Sequence, residues 1–393
     1  MAARSYDVVI VGGGVIGSAI AYFLASDPGF SGTVAVIERD PTYRTASSAL
    51  SASGIRQQYS TAVNMAIGQF GIAFLRSAPE TLAVNNTPAD IALTEDGYLF
   101  LGNDSSIDLM RKNHALQRNH GVAVELLGPN ALKTQFPWLS TDGVALGSLG
   151  TSGEGWFDGY SLLQAFRRKA QSLGVTFITA NVTGLERAGN RIAAATLADG
   201  TRISCGALVN AAGPHARAIA TMAGIALPVE ARRRSVFVID CRQALPRCPL
   251  VIDISGVWFR PEGRQFITGL SPPEEHDPEN FELNVDHAQF EDEIWPALAQ
   301  RVPAFESLKV TSSWAGHYEY NTFDQNGIVG PHPDVGNLYL ANGFSGHGLQ
   351  QSPAVGRALA EWIAHGSCRS LDLSPLSIGR ILENKPLIER NVV

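Results

Sequence analysis

The chain has 393 residues, 45% of them hydrophobic and 17% charged, with a formal net charge of −7 at pH 7. That length supports two domains with substantial cores, and the acidic balance excludes neither an enzyme nor a scaffold but speaks against a nucleic-acid or anionic-membrane partner. Cys205, Cys241, Cys248 and Cys368 show no C-x-x-C pair and no histidine at metal-ligand spacing, so no metal is expected and the thiols read as reduced. No apolar run reaches the ~18 residues of a membrane span. The first strand follows Met1 too closely for a targeting peptide, and a cytoplasmic protein is expected.

The first element is a β-branched run, Val8 to Val11, with no polar interruption, as expected of a parallel strand buried on both faces. Gly12, Gly14 and Gly17 follow in G-x-G-x-x-G spacing, and Ile16, Ile20, Phe23 and Leu24 then recur at helical spacing. Gly12 permits the tight turn, Gly14 leaves room for a pyrophosphate at the backbone, and Gly17 lets the helix pack closely on the sheet. The helix N-terminus, at Val15 and Ile16, aims free N–H groups at the phosphates. A second strand, Val34 to Ile37, ends in Glu38, ~20 residues past the fingerprint, where a carboxylate accepts hydrogen bonds from ribose hydroxyls. These residues predict a bound dinucleotide, with FAD or NAD favoured over NADP because Glu38 repels a 2′-phosphate.

Residues 40–60 are rich in small and hydroxyl side chains and predict a loop lying along the cofactor, with Arg39, Ser47, Ser48, Ser53 and Gly54 as contacts and Arg56 at its far end. A helix from Thr61 to about Phe74 follows. Ile91–Leu93, Gly97–Leu101 and Gly143–Leu149 read as strands and Ser106–Asn119 as a helix, an α+β pattern without a phosphate signal. A helix from Gly159 to Leu173 leads into strands at Val175–Thr179, Thr183–Arg187 and Ile192–Leu197, with Asp199-Gly200 as a hairpin signal. Ala207–Asn210 is a buried strand ending in Ala211-Ala212-Gly213-Pro214, small residues that again let a ligand approach the backbone. Further strands are expected at Ser235–Asp240, Leu250–Asp253, Val257–Pro261 and Gln265–Gly269, with Arg232-Arg233-Arg234 as a solvated strand edge. Leu338–Leu340 runs into Asn342–Gln350, and a last helix spans Pro353 to His365.

Four of these blocks together resemble the flavoprotein amine and amino-acid oxidoreductases of the D-amino-acid oxidase superfamily, in its sarcosine and glycine oxidase branch. They are Gly12–Gly17 with Glu38, Ser47–Arg56, Leu208–Pro214 and Asn342–Gln350, which contains G-F-S-G-H-G. Residues 316–333 are also similar to a mitochondrial subgroup of FAD-dependent oxidoreductases of unknown substrate. The resemblance implies an α/β, two-domain fold: a Rossmann-like FAD-binding domain (1–82, 150–222 and 326–393) interleaved with an antiparallel-sheet substrate domain (83–149 and 223–325). It implies FAD rather than NAD, with Val182 and the Gly343, Gly346, His347, Gly348, Leu349 and Gln350 block among the cofactor residues. Amides of that block and the positive end of the following helix suit the flavin edge that becomes anionic on reduction.

By the same resemblance Arg56 matches the arginine that binds a substrate carboxylate, Tyr318 a pocket tyrosine, and His347 a substrate-facing or turn-shaping histidine. Trp258, Phe344 and Tyr320 are candidate pocket walls. Two departures stand out. Gly316-His317 occupies the place of the cysteine that attaches flavin covalently, so non-covalent FAD is expected, with a histidyl link through His317 left open. Gln350 replaces a family lysine, and Phe266–Gly269 lacks the lysine that activates oxygen, which opens the way to a dehydrogenase using another electron acceptor. The expected function is oxidation of the C–N bond of a secondary amine or N-substituted amino acid, with hydride passing to flavin N5 and imine hydrolysis following. The alternatives are a 2-hydroxy-acid oxidoreductase, a non-catalytic flavin-bearing assembly protein and, more remotely, an NAD-binding dehydrogenase. Oligomeric state is left open.

Overall fold

The structure, a computed structural model, describes residues 4–391. Among the described residues the strands gather into two eight-stranded sheets and a short pair, Gly54–Ile55 with Gly155–Trp156. The first is centred on Arg4–Val11, whose residues Val8 to Val11 are at most 5% exposed. This strand runs parallel to Val34–Glu38 on one side and to Arg202–Asn210 on the other. Thr176–Thr179 extends the sheet beyond Val34–Glu38. Val335–Asn342 lies parallel to Arg202–Asn210 and pairs antiparallel with Ile328–His332. A strand buried on both faces needs apolar residues at every position, which is why the run Val8–Val11 shows no alternation.

One face of this sheet is covered by the helices Val15–Ser26 and Gly348–His365, packed directly on each other. Close approach is allowed by Gly356, where a Cβ would lie 2.8 Å from that of Ala19. The last helix begins five residues earlier than the expected Pro353. Proline has no N–H for the Leu349 carbonyl, and Ser352 Oγ donates to that carbonyl instead at 2.9 Å. The helix therefore tolerates Pro353 in its second turn.

The second sheet runs in the order Lys309–Asn321, Val229–Asp240, Gln265–Gly269, Trp258–Glu262, Leu250–Ile252, Tyr98–Gly102, Leu146–Gly150 and Val124–Leu127. All neighbours are antiparallel except Leu250–Ile252 with Tyr98–Gly102. Its core is aromatic, with Phe237, Phe259 and Phe305 fully buried.

Three expectations are corrected. Ile91–Leu93 is not a strand; its Ile91 carbonyl accepts the Asp158 N–H at 2.7 Å, and Thr94 just beyond it bridges to Trp156. Lys309–Asn321, where no strand is expected from the sequence, is the longest strand in the second sheet. Arg232 and Arg234 are not a solvated edge: they are 8% and 9% exposed, and the strand carrying them has Lys309–Asn321 along its whole length. Each is buried because a carboxylate meets it, Glu230 for Arg232 and Asp277 for Arg234. Among the described residues no helix is long and apolar enough to cross a membrane.

Candidate active site

The first strand ends at a turn in which Gly12 has φ +101°, and a Cβ there would lie 2.2 Å from the Ala211 carbonyl oxygen. Only glycine fits that backbone and that contact. Gly17 packs equally tightly, its Cβ position 1.9 Å from the Gly12 oxygen, whereas a Cβ on Gly14 would meet only Ser48 Oγ at 3.4 Å. Gly14 thus faces open space, and the other two close the helix onto the sheet. Glu38 Oε2 accepts the Gly13 N–H at 2.7 Å, and Ser48 Oγ accepts the Val15 N–H at 3.0 Å. The helix Val15–Ser26 carries no side-chain cap.

This turn opens into a cleft enclosing about 1770 Å³ of empty space, solvent at its mouth included. Gly12, Gly14, Val15, Ile16, Glu38, Arg39, Ser47, Ser48, Ser53, Gly54, Ala212, Gly213, Gly346, His347, Gly348, Leu349 and Gln350 all line it. Three expected cofactor residues do not. Gly17 is spent on helix packing, Val182 is buried in the apolar cluster with Val9 and Leu208, and Gly343 stands behind the loop, its N–H donated to Glu319. Ser47 Oγ and His317 Nε2 are buried with no hydrogen-bond partner, and both face the cleft. Orphaned polar atoms beside a glycine cradle fit a polar ligand of dinucleotide length.

The cleft continues without interruption into a pocket under the second sheet, bounded by Tyr98, Leu250, Trp258, Leu270, Arg234 and Tyr318. Trp258 is the expected wall. Phe344 is instead a core residue, and Tyr320 lies under the Arg232 guanidinium rather than in the pocket. Tyr318 sits against Gly346, with the Arg234 guanidinium 4.8 Å from its ring centroid. Arg234 is held by both oxygens of Asp277, at 2.8 and 2.7 Å. Burial raises the Tyr318 phenol, against the pull of Arg234 and Arg56, so it keeps its proton.

Arg56 is 1% exposed. Its Nη1 donates to the Gln58 carbonyl, and its Nη2 to His347 Nε2 at 2.9 Å and to the Asn391 carbonyl at 2.7 Å. A guanidinium only donates, so His347 Nε2 is the acceptor and its ring proton is on Nδ1. Burial, reinforced by Arg56, pushes the imidazole down to about 3. His347 is a neutral, hydrogen-bonded histidine. Arg56 N–H also donates to Gln350 Oε1 at 3.0 Å, which ties the residue standing at the family lysine position to the loop.

Two carboxyls were missed by sequence reasoning. Glu319, next to Tyr318, has the Gly343 N–H as its one hydrogen-bond donor at 3.1 Å, and burial pushes it up to about 8. Glu154 is fully buried and accepts the N–H groups of Gln57 and Gln58 at 2.6 and 2.9 Å, which fixes the loop behind Arg56; burial pushes it up to about 7 despite those donors. Neither has a motif. Both owe their environment to a fold that brings residues from distant parts of the chain around them.

A glycine turn and acid-tipped strand that share one cleft with a pocket under a second sheet define a dinucleotide-dependent oxidoreductase. A family model described as FAD dependent oxidoreductase matches residues 7–362, and the chain belongs to that family, DAO. Over its length it is 46% identical to FAD-dependent oxidoreductase domain-containing protein 1 of Xenopus laevis, covering 98% of this chain and 85% of that protein. It is 27% identical to the sarcosine oxidase subunit beta of Rhizobium meliloti, covering 92% and 85%. The crystal structure of L-proline dehydrogenase from P. horikoshii superposes with a TM-score of 0.87 at 25% identity, over 98% of this chain and 100% of that one. The α/β, two-sheet fold and the FAD dependence expected from the sequence are those of the family.

Proposed function

We propose that the protein oxidises the C–N bond of a secondary amine or N-substituted amino acid, with FAD held non-covalently and electrons passed to oxygen or another acceptor. The observation that carries this reading is the single cleft running from the Gly12–Gly17 turn to Tyr318. Relatives named for sarcosine oxidation and proline dehydrogenation support the choice of an amine. The first sheet serves as the cofactor half and the second as the substrate half.

FAD, when bound, supplies a two-electron acceptor whose electronics the surrounding protein tunes. Gly12–Gly14 and the N-terminus of Val15–Ser26 would hold its phosphates, and Glu38 would accept hydrogen bonds from a ribose. The amides at Gly346–Gln350 offer positive charge where negative charge gathers. Trp258, Tyr98 and Leu250 exclude water from the reacting carbon, and Tyr318 donates a hydrogen bond. His347 stays neutral and is not an acid or base. Because the amine is oxidised in its neutral form, no general base is assigned. Cytoplasmic location is part of the proposal, supported by the free thiols of Cys205, Cys241, Cys248 and Cys368 among the described residues.

The test begins with acid precipitation of the purified yellow protein. FAD is expected in the supernatant, whereas colour in the pellet would establish a link through a residue such as His317. Anaerobic addition of secondary amines should then bleach the visible flavin absorption. Bleaching by 2-hydroxy acids alone, or by neither class, would overturn the amine assignment.

A further inference from the structure

The Nη2 end of the Arg56 guanidinium is already occupied, in part by Asn391 from the far end of the described chain. The strong, oriented mode in which arginine binds a carboxylate uses two parallel N–H groups. Guanidinium offers two such faces, side-on through Nε and Nη2 or end-on through Nη1 and Nη2, and both need an Nη2 hydrogen. Both Nη2 hydrogens are used, one by His347 Nε2 and one by the Asn391 carbonyl. The flat sides are covered as well, with Tyr59 at 4.1 Å and Phe100 at 5.4 Å from their ring centroids.

The segment that supplies the Asn391 carbonyl is tied down along its length. Leu387 donates its N–H to Asp324 Oδ2 at 2.9 Å, and its carbonyl accepts from Asn326 Nδ2 at 2.7 Å. Glu389, 9% exposed, accepts from Ser60 N–H and Oγ, both at 2.6 Å, and from Thr61 Oγ1 at 2.8 Å. Asn391 Nδ2 reaches the Gln58 carbonyl at 2.7 Å, the same carbonyl that receives Arg56 Nη1.

We propose that residues 387–391 form a strap that keeps Arg56 from substrate, so that the site takes amines whose binding needs no carboxylate on that arginine. Arg56 is then a positioning residue that fixes the His347 tautomer. This inference rests on the amine reading above and narrows it from amino acids to amines.

The experiment measures calorimetric dissociation constants of benzoate and of benzamide, its uncharged isostere, on the FAD-loaded protein. Turnover is not involved, so failure of every amine to reduce the flavin would sink the proposed function without obscuring this result. With the intact chain the two ligands are expected to bind within roughly threefold of each other. Ending the chain after Pro386 frees one Nη2 hydrogen, and a hydrogen bond to a charged group is worth enough to tighten benzoate roughly tenfold or more. Benzamide should stay unchanged, and adding Arg56→Lys to the shortened chain should abolish the gain. Glu389→Ala in the full-length chain loosens the strap without removing it and should shift benzoate in the same direction, which covers the case of a shortened chain that does not fold. A tenfold benzoate preference in the intact protein overturns the proposal. So does a benzoate affinity unmoved by both strap variants, an equal gain for both ligands, or a gain that survives Arg56→Lys.

Discussion

The two halves of the cleft are made in different ways. The cofactor end is built from backbone and missing side chains: Gly12 against Ala211, Gly17 against Gly12, and N–H groups fixed by Glu38 and Ser48. The pocket end is built from side chains that hold one another, with Asp277 on Arg234, Arg234 over Tyr318, and Arg56 on His347. A backbone cradle is damaged by adding atoms. A side-chain lattice is damaged by removing them or changing their charge.

The strongest break of the cradle is Gly12→Ala, which drives a Cβ into the Ala211 carbonyl at a φ that side chains avoid. FAD affinity should fall by at least roughly 100-fold, about 2.8 kcal/mol, with a lowered Tm even in the apoprotein. Flavin content after gel filtration and a thermal melt check this.

On the pocket side the corresponding break is Asp277→Asn, which leaves the buried Arg234 charge unpaired and should cost roughly 3 kcal/mol of stability. Chemical denaturation measures it. Unlike Gly12→Ala it should leave FAD stoichiometry intact, since Asp277 does not line the cofactor end of the cleft.

Gly14→Ala sharpens the contrast, because its Cβ meets only Ser48 Oγ. The apoprotein Tm should be unchanged while FAD binds about tenfold more weakly, about 1.4 kcal/mol by titration. An equal loss of apoprotein stability would show that Gly14 serves the fold rather than the ligand.

The mildest expected effect concerns Glu319. Its folded pKa, pushed up to about 8 from the ordinary 4.5, means that the folded state holds a proton the unfolded state has released. Its contribution to stability is therefore full below pH 4.5 and is lost as pH rises toward 8. Glu319→Gln, which stays neutral, should match the parent Tm at pH 5 and exceed it at pH 9. A Tm difference that does not change with pH would contradict the assignment.

This contrast also explains what the sequence revealed. The cradle was legible because its logic is local: a strand, three glycines and an acid lie within one stretch, and each residue type has a stated physical task. The pocket was not, because its partners are far apart. Arg56 reads as a free cation until His347 and Asn391 are seen around it, and Arg234 reads as solvated until Asp277 arrives from 43 positions away. Val182 was expected at the cofactor from the resemblance and not from any local signal, and its side chain packs in the apolar cluster with Val9 and Leu208. The strand over 309–321 was overlooked for a related reason. Its first four residues, Lys309 to Ser312, are exposed and its inner part carries Gly316, His317 and Glu319, residues kept for the cleft rather than for strand propensity.

The strand order of the first sheet has a consequence for how the chain is made. Arg4–Val11 emerges early and soon gains Val34–Glu38, but its other neighbour is Arg202–Asn210, and that strand waits in turn for Val335–Asn342. At roughly 5–20 residues per second of synthesis, one edge of this central strand stays open on the ribosome for roughly 10–40 s. Such an edge invites pairing with another nascent chain. Since Gly346–Gln350 is translated only after all three strands, the flavin site closes only once the central strands of the first sheet have been made, and cofactor supply acts on a chain whose first sheet is already in hand.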